Sequence, residues 1–225
     1  MLDSVEEPRN ARSRRTRAAL LDATRALLEG HGAESLTMAA VAERAGVSRR
    51  AVYLHFASRA ELLAELFGHV SEQEGLAASL QPVWDAPDAT TALDQWARHL
   101  ARFHPRILAV ARAIQRVRRV DPDAAAHWEL VMADQQACCH RLAAWLAREH
   151  RLAPPWTVQT AADMLWALMS FDLLEELLVD RGWSARRYRT YLGALLRSTF
   201  LCDPGRAQAA PTDPVLNDRG RGGSA

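Results

Sequence analysis

Arg49, Arg50, Tyr53 and His55 fall within one stretch of seven residues, with Thr37 and Ser48 just before it and Arg59 just after. All are hydrogen-bond donors or acceptors suited to anionic oxygen and to base edges. Arginine grips phosphate or guanine with two parallel donors, while hydroxyls and tyrosine add single contacts. The chemistry this points to is recognition of a polyanion.

The elements that position these side chains can be read from TMAAVAERAGVSRRAVYLHF, residues 37–56. Thr37 can cap a short helix whose apolar positions Met38, Val41 and Ala45 recur at three- and four-residue spacing. Gly46 tolerates the left-handed conformation that a tight turn between helices needs, and Val47 follows as an apolar plug. Ser48 caps the next helix. Val52 and Phe56, four apart, form its inner side, which leaves Arg49, Arg50, Tyr53 and, less clearly, His55 outside. Two arginines in a first helical turn face the positive end of the helix dipole, at a typical cost of about 0.3–1 kcal/mol each. A phosphate backbone would offset that cost. A recognition helix enters the major groove of DNA in this way, N-terminal residues first. An ordinary helical hairpin with a solvated basic face is the alternative.

Residues 14–67 as a whole resemble the N-terminal domain of the TetR family of one-component bacterial transcriptional regulators. Gly32, Thr37, Ala42, Ala45, Gly46, Val47, Ser48, Tyr53, Phe56 and Leu62 fall in the expected register. The pattern departs from the family at Arg50 and Ala51, where a small residue and then threonine are common, and at Arg59, where lysine is common. The resemblance implies DNA contacts by Arg14, Arg15, Thr37, Ser48, Arg49, Arg50, Tyr53, His55 and Arg59. It also implies a double-stranded operator, a dimer with two-fold symmetry, and a small-molecule effector that relieves repression. A dimer with two recognition helices reads a roughly palindromic site, with half-sites about one helical turn or a multiple apart.

Composition agrees with a regulator of this kind. In 225 residues, helix formers abound, and glycine and proline number only 11 and 10, so an all-α fold is expected. It would be an N-terminal three-helix helix-turn-helix domain joined to a C-terminal helical bundle for ligand binding and dimerisation. All 28 basic residues are arginine. Residues 9–59 hold ten arginines against four acids, a local +6, whereas residues 60–225 hold 18 against 20, or −2. One end of the molecule is therefore built to meet a polyanion. No run of 18 apolar residues occurs and the N-terminus is charged, so no membrane association and a cytoplasmic location are expected.

Cys138, Cys139 and Cys202 are too few for a disulfide framework and lack metal-ligand spacing, so neither metal nor cofactor is expected. A helical-bundle enzyme is the rival class. The chain shows no nucleophile and base in register, no phosphate loop and no paired metal motif, so no enzymatic activity is expected. A second rival keeps the fold and binds DNA without an effector.

Along the chain, residues 1–10 read as a disordered arm and 11–57 as the helix-turn-helix domain. A connecting helix spans 58–80, an effector-binding and dimerisation domain spans 81–202, and 203–225 is a disordered tail. The cluster Arg12, Arg14, Arg15 and Arg17 is either a solvated charge run or an arm along phosphates and the minor groove. Ser58 caps the connecting helix, whose N-terminal amides could hold another phosphate. Residues 81–88 read as a loop, followed by helices over 89–103, 105–119, 122–150, 157–181 and 185–201.

All seven tryptophans lie after residue 80. Trp96, His99 and Phe103 fall at helical spacing, as do Trp128 and Met132, and Met164 with Phe171. Such stripes either form plain bundle core or line an adaptable pocket for a hydrophobic effector. Asp172 interrupts an apolar run and faces solvent, pairs with an arginine, meets a ligand or sits at a subunit seam. Leu173, Leu177, Tyr188, Leu192, Leu195 and Phe200 offer more apolar surface than one partner helix covers, which suggests a four-helix dimer interface.

Overall fold

The computed structural model of the protein describes residues 6–202. The expected tail and the first five residues of the expected arm lie outside them. Helix α1 (Glu6–His31) begins inside the expected arm, and a single 3₁₀ turn (Ala33–Ser35) leads to α2 (Met38–Arg44) and α3 (Arg49–His55). Next come α4 (Arg59–Gln73), α5 (Leu76–Trp84), α6 (Ala89–Val117) and α7 (Pro122–Arg148). After α8 (Val158–Ala167), α9 (Phe171–Glu175) runs into a π-helical turn (Glu176–Asp180), and α10 (Ala185–Phe200) completes the described chain. The all-α class is as expected.

Beyond the start of α1, four boundaries differ from the sequence reading, and in the last three packing overrides a local signal. The connecting helix stops at Gln73, where Gly75 takes a left-handed φ of 70°. Residues 76–84, with 81–84 expected as loop, form α5 with Pro82 inside it. Val83, fully buried, and half-buried Trp84, which packs against Trp96 at 6.4 Å, hold that last turn helical.

Two expected helices, 89–103 and 105–119, are one. Helix α6 continues through Pro105 because Phe103, His104 and Ile107 are buried around it. This central helix touches α4, α5, α7, α9 and α10. Conversely, the expected helix 157–181 breaks at 168–170. Met169 and Phe171 are both buried, and two residues apart on a continuous helix they would point about 200° apart. The break turns both inward, and Ser170 restarts the helix by accepting the Asp172 N–H at 3.2 Å.

Candidate functional site

The turn between α2 and α3 is built from backbone. Gly46 sits at φ 68°, its N–H donates to Glu43 O at 3.1 Å and the Val47 N–H reaches Ala42 O at 3.0 Å. This crossed pair is the Schellman closure, which requires a left-handed residue at the Gly46 position. Thr37, Ser48 and Ser58 each accept the N–H three residues on, at 3.0, 3.2 and 3.0 Å, to cap α2, α3 and α4. Capping uses the hydroxyl oxygen as acceptor and leaves each O–H free to donate.

Behind this frame Leu20, Leu36, Val41, Val52, Phe56 and Leu62 are no more than 1% exposed. The pairing of Val52 with Phe56 on the inner face therefore holds. Arg49, Arg50 and Tyr53 face solvent, with the Arg49 guanidinium 5.8 Å from the Tyr53 ring centroid. His55 is half-buried. Leu54, absent from the sequence reading, is 77% exposed on the same helix. The signal that could have found it was its phase: it falls outside the spacing of Val52 and Phe56. An exposed leucine beside arginines suits contact with a thymine methyl.

Arg17 is not a free member of the basic cluster. It donates to the His55 carbonyl at 3.0 Å, pairs with Glu65 at 3.0 Å, and lies 4.5 Å from the Phe56 ring centroid. It thereby ties α1 to the end of α3 and to α4. Arg15 is exposed and bonds the Ala11 carbonyl at 3.3 Å. Arg14 is exposed too, and borders a groove of about 540 Å³ that also includes Glu65, His69 and His127. Arg59 is half-buried, and its Nε has no hydrogen-bond partner among the described residues. Glu61 folds back onto the N-terminus of α4, its carboxylate accepting the Ala57 N–H at 2.6 Å. A carboxylate thus already occupies part of the N-terminus read as a phosphate seat.

The candidate pocket residues divide between two spaces. Trp96, His99 and Phe103 line a cavity of about 150 Å³ together with Phe67, Ser71 and His104. Their rings form a ladder: Trp96 to His99 at 5.5 Å, His99 stacked on Phe103 at 5.4 Å, and His104 stacked on Phe171 at 5.3 Å. Burial, with Arg102 nearby, lowers the pKa of His99 to about 4, and burial, with His99 beside it, lowers that of His104 to about 3. Both imidazoles are therefore neutral near pH 7.

Trp128, Met132 and Phe171 line a separate groove of about 560 Å³, with Met169 bordering both spaces. Met164 is 40% exposed and lines neither space. Asp172 also lies outside both, mostly solvent-exposed and paired with Arg112, which holds Glu175 as well. Two of the four readings of Asp172 are thus met together, solvent exposure and an arginine partner.

The candidate interface residues need a correction. Tyr188, Leu192 and Phe200 are 3%, 5% and 0% exposed within this single chain, packed in its own core. They face inward because α10 lies along α6. Leu173 and Leu177 are half-buried, and Leu195 is exposed. Exposed apolar surface instead appears at Met164 and Trp166 on α8, at Val179, and at Tyr191 and Leu195 on α10. Among the described residues no helix is long and apolar enough to cross a membrane.

Comparison with known proteins bears on this arrangement. Residues 20–66 match the family profile "Bacterial regulatory proteins, tetR family". No curated protein sequence matches the chain. Among solved structures, a transcriptional regulator from Saccharomonospora viridis in complex with choline superposes with a TM-score of 0.71 at 15% identity, covering 83% of this chain and 98% of that one. NalD, the secondary repressor of the MexAB-OprM multidrug efflux pump in Pseudomonas aeruginosa, gives 0.65 at 23% identity over 86% and 99%. A TetR-family regulator from a Rhodococcus species gives 0.63 at 18% identity over 82% and 97%. At these identities the likeness is one of fold.

Proposed function

We propose that this chain, whose residues 20–66 match the family profile of tetR bacterial regulatory proteins, is a homodimeric transcriptional repressor that binds a palindromic operator and is released by a small molecule. The observation that carries the reading is α3. Its inner residues are sealed in the core while Arg49, Arg50, Tyr53 and Leu54 project together into solvent. Ser48 and Thr37 add hydroxyl donors, and half-buried Arg59 places a guanidinium charge at the start of α4. Arg14 and Arg15 add positive charge on α1.

Dimerisation is assigned to the exposed apolar residues of α8 and α10, with Leu195 retained from the sequence reading. The effector is assigned to the aromatic cavity. Choline in the S. viridis protein is precedent for a small ligand on this fold, and NalD is precedent for repression. The two halves of each protomer meet at Glu74, which accepts Arg25 of α1 at 2.6 Å and Arg106 of α6 at 3.0 Å. A ligand that shifts α6 is felt there, with a coupling of about 1–3 kcal/mol typical of such systems.

The test is selection of bound duplexes from a randomised DNA library with the purified protein. An enriched palindrome supports the reading and identifies the operator. Failure to enrich any sequence at low salt would overturn it.

A further inference from the structure

A second space adjoins the aromatic cavity and has the opposite character. It is a groove of about 710 Å³ between α5, α6 and the start of α10, lined by Arg98, Arg102, Arg106, Arg186 and Arg189. Among the described residues no acidic side chain lines it, although residues 60–225 carry a net −2. Four of the five arginines form no ion pair among the described residues, and Arg106 is held by Glu74 alone. Like charges gathered without counter-charges repel one another, so a bound anion would stabilise them.

The wall between the two spaces is thin. His99 lines both, and its Nδ1 lies 2.9 Å from Oγ of Ser79, which lines the groove. On the inner side, Trp96 is 1% exposed and Ser71 6%, yet the indole Nε1 and the Ser71 hydroxyl have no hydrogen-bond partner among the described residues. Buried donors without partners are uncommon, and a ligand oxygen would satisfy them.

We propose that cavity and groove form one bipartite site for an amphipathic anion, whose ring-sized apolar body, bearing a carbonyl or ether oxygen, enters the cavity while its carboxylate or phosphate rests among Arg98, Arg102 and Arg189. A space of about 150 Å³, mostly apolar but with exposed Asp134 and with Gln135 on the α7 side of its lining, takes a body about the size of benzene. Neutral His99 stands between the two spaces and places no charge in the wall that separates them. A cation such as choline is the wrong charge for this groove.

The groove does not serve DNA. Arg98 and Arg106 lie about 15–27 Å along α6 from Arg116, the residue that meets Glu34 of the DNA-reading head at 3.6 Å. Arg106 belongs both to the groove and to the Glu74 junction, so an anion that recruits it loosens the tie to Arg25 of α1. The proposal rests on the body being the effector domain, and its test uses no DNA for the binding step, so it can fail while operator binding stands.

The probes are 4-phenoxybutyrate and its neutral analogue 4-phenoxybutan-1-ol, titrated calorimetrically into the full-length protein. The carboxylate is expected to bind at least about tenfold more tightly than the alcohol, the usual margin for a charge-assisted hydrogen bond. Arg102→Ala with Arg189→Ala, both at exposed positions, removes that preference and leaves the alcohol's affinity unchanged. Trp96→Phe weakens both probes by a similar factor, and Ser71→Ala checks the same point with a smaller change to the core. Equal affinities for the two probes, a preference that survives the double arginine variant, or no binding of either probe at millimolar concentration would each overturn the proposal. A double variant that lowers the salt dependence of operator binding would overturn it too, by showing the groove to be a phosphate contact.

Discussion

The reading head, α1 to α3, and the helical body, α5 to α10, solve different problems with the same element. The head uses two helices of seven residues each, too short to be stable alone. It holds them by hydroxyl caps, a glycine turn and one arginine, Arg17, that reaches across three helices. The body uses helices of up to 29 residues, held by apolar contact along their length. In the head most determinants act within four residues, so it presents a rigid surface. In the body the spaces that matter lie between helices, where a ligand can be admitted at low cost.

Salt gives the largest expected separation between the two. If six to ten phosphates are neutralised per dimer, operator affinity falls by about 10³ to 10⁵ between 50 and 200 mM salt. Fluorescence anisotropy of a labelled operator measures this, and a flat response would remove the electrostatic account of the head. Next in size is Phe56→Ala. Emptying a site with no solvent exposure costs about 3–5 kcal/mol. DNA binding is expected to disappear, and hydrogen exchange should show protection lost over 37–56 but kept in α6 and α10. Uniform loss would mean that head and body unfold as one unit.

Arg50→Ala tests the surface of the head and leaves its frame in place. Specific binding is expected to weaken by about 1–3 kcal/mol, with relaxed preference at one base pair. Equal weakening on operator and random duplex would make Arg50 a phosphate contact. The smallest effect belongs to the body and to pH. His99 and His104 are held well below their ordinary value when folded, near 4 and near 3. Below about pH 6.5 the unfolded chain takes up protons that the folded chain refuses, so stability falls as pH drops from there toward 4. Between pH 7.5 and 5.5 each histidine contributes a loss of about 1 kcal/mol. His104→Phe, which keeps a ring against Phe171, should remove about half of that dependence in denaturant titrations. Identical slopes in the two proteins would place a proton on His104 in the folded state.

Much of the head was legible in the sequence because its signals are local. Thr37, Gly46, Ser48, Val52 and Phe56 act on neighbours within four positions, and their types alone determined the two caps, the turn and the buried side of α3. The outward direction of Arg49, Arg50 and Tyr53 followed from that phase. The all-α class was equally available from composition.

The rest was decided by packing between distant parts of the chain. Pro105 was a stop signal by itself, and only burial of its neighbours on α6 carries the helix through it. Arg17 read as one more basic residue until His55, Phe56 and Glu65 gathered around it. Tyr188, Leu192 and Phe200 read as interface because periodicity says that a face is apolar and not which surface covers it, and here α6 of the same chain does. The aromatic cavity and the arginine groove join residues as far apart as Ser79 and Arg189, and no spacing rule reaches that far. Local geometry propagates over a turn or two of helix, whereas the choice of partner for a buried face is made by the whole chain at once.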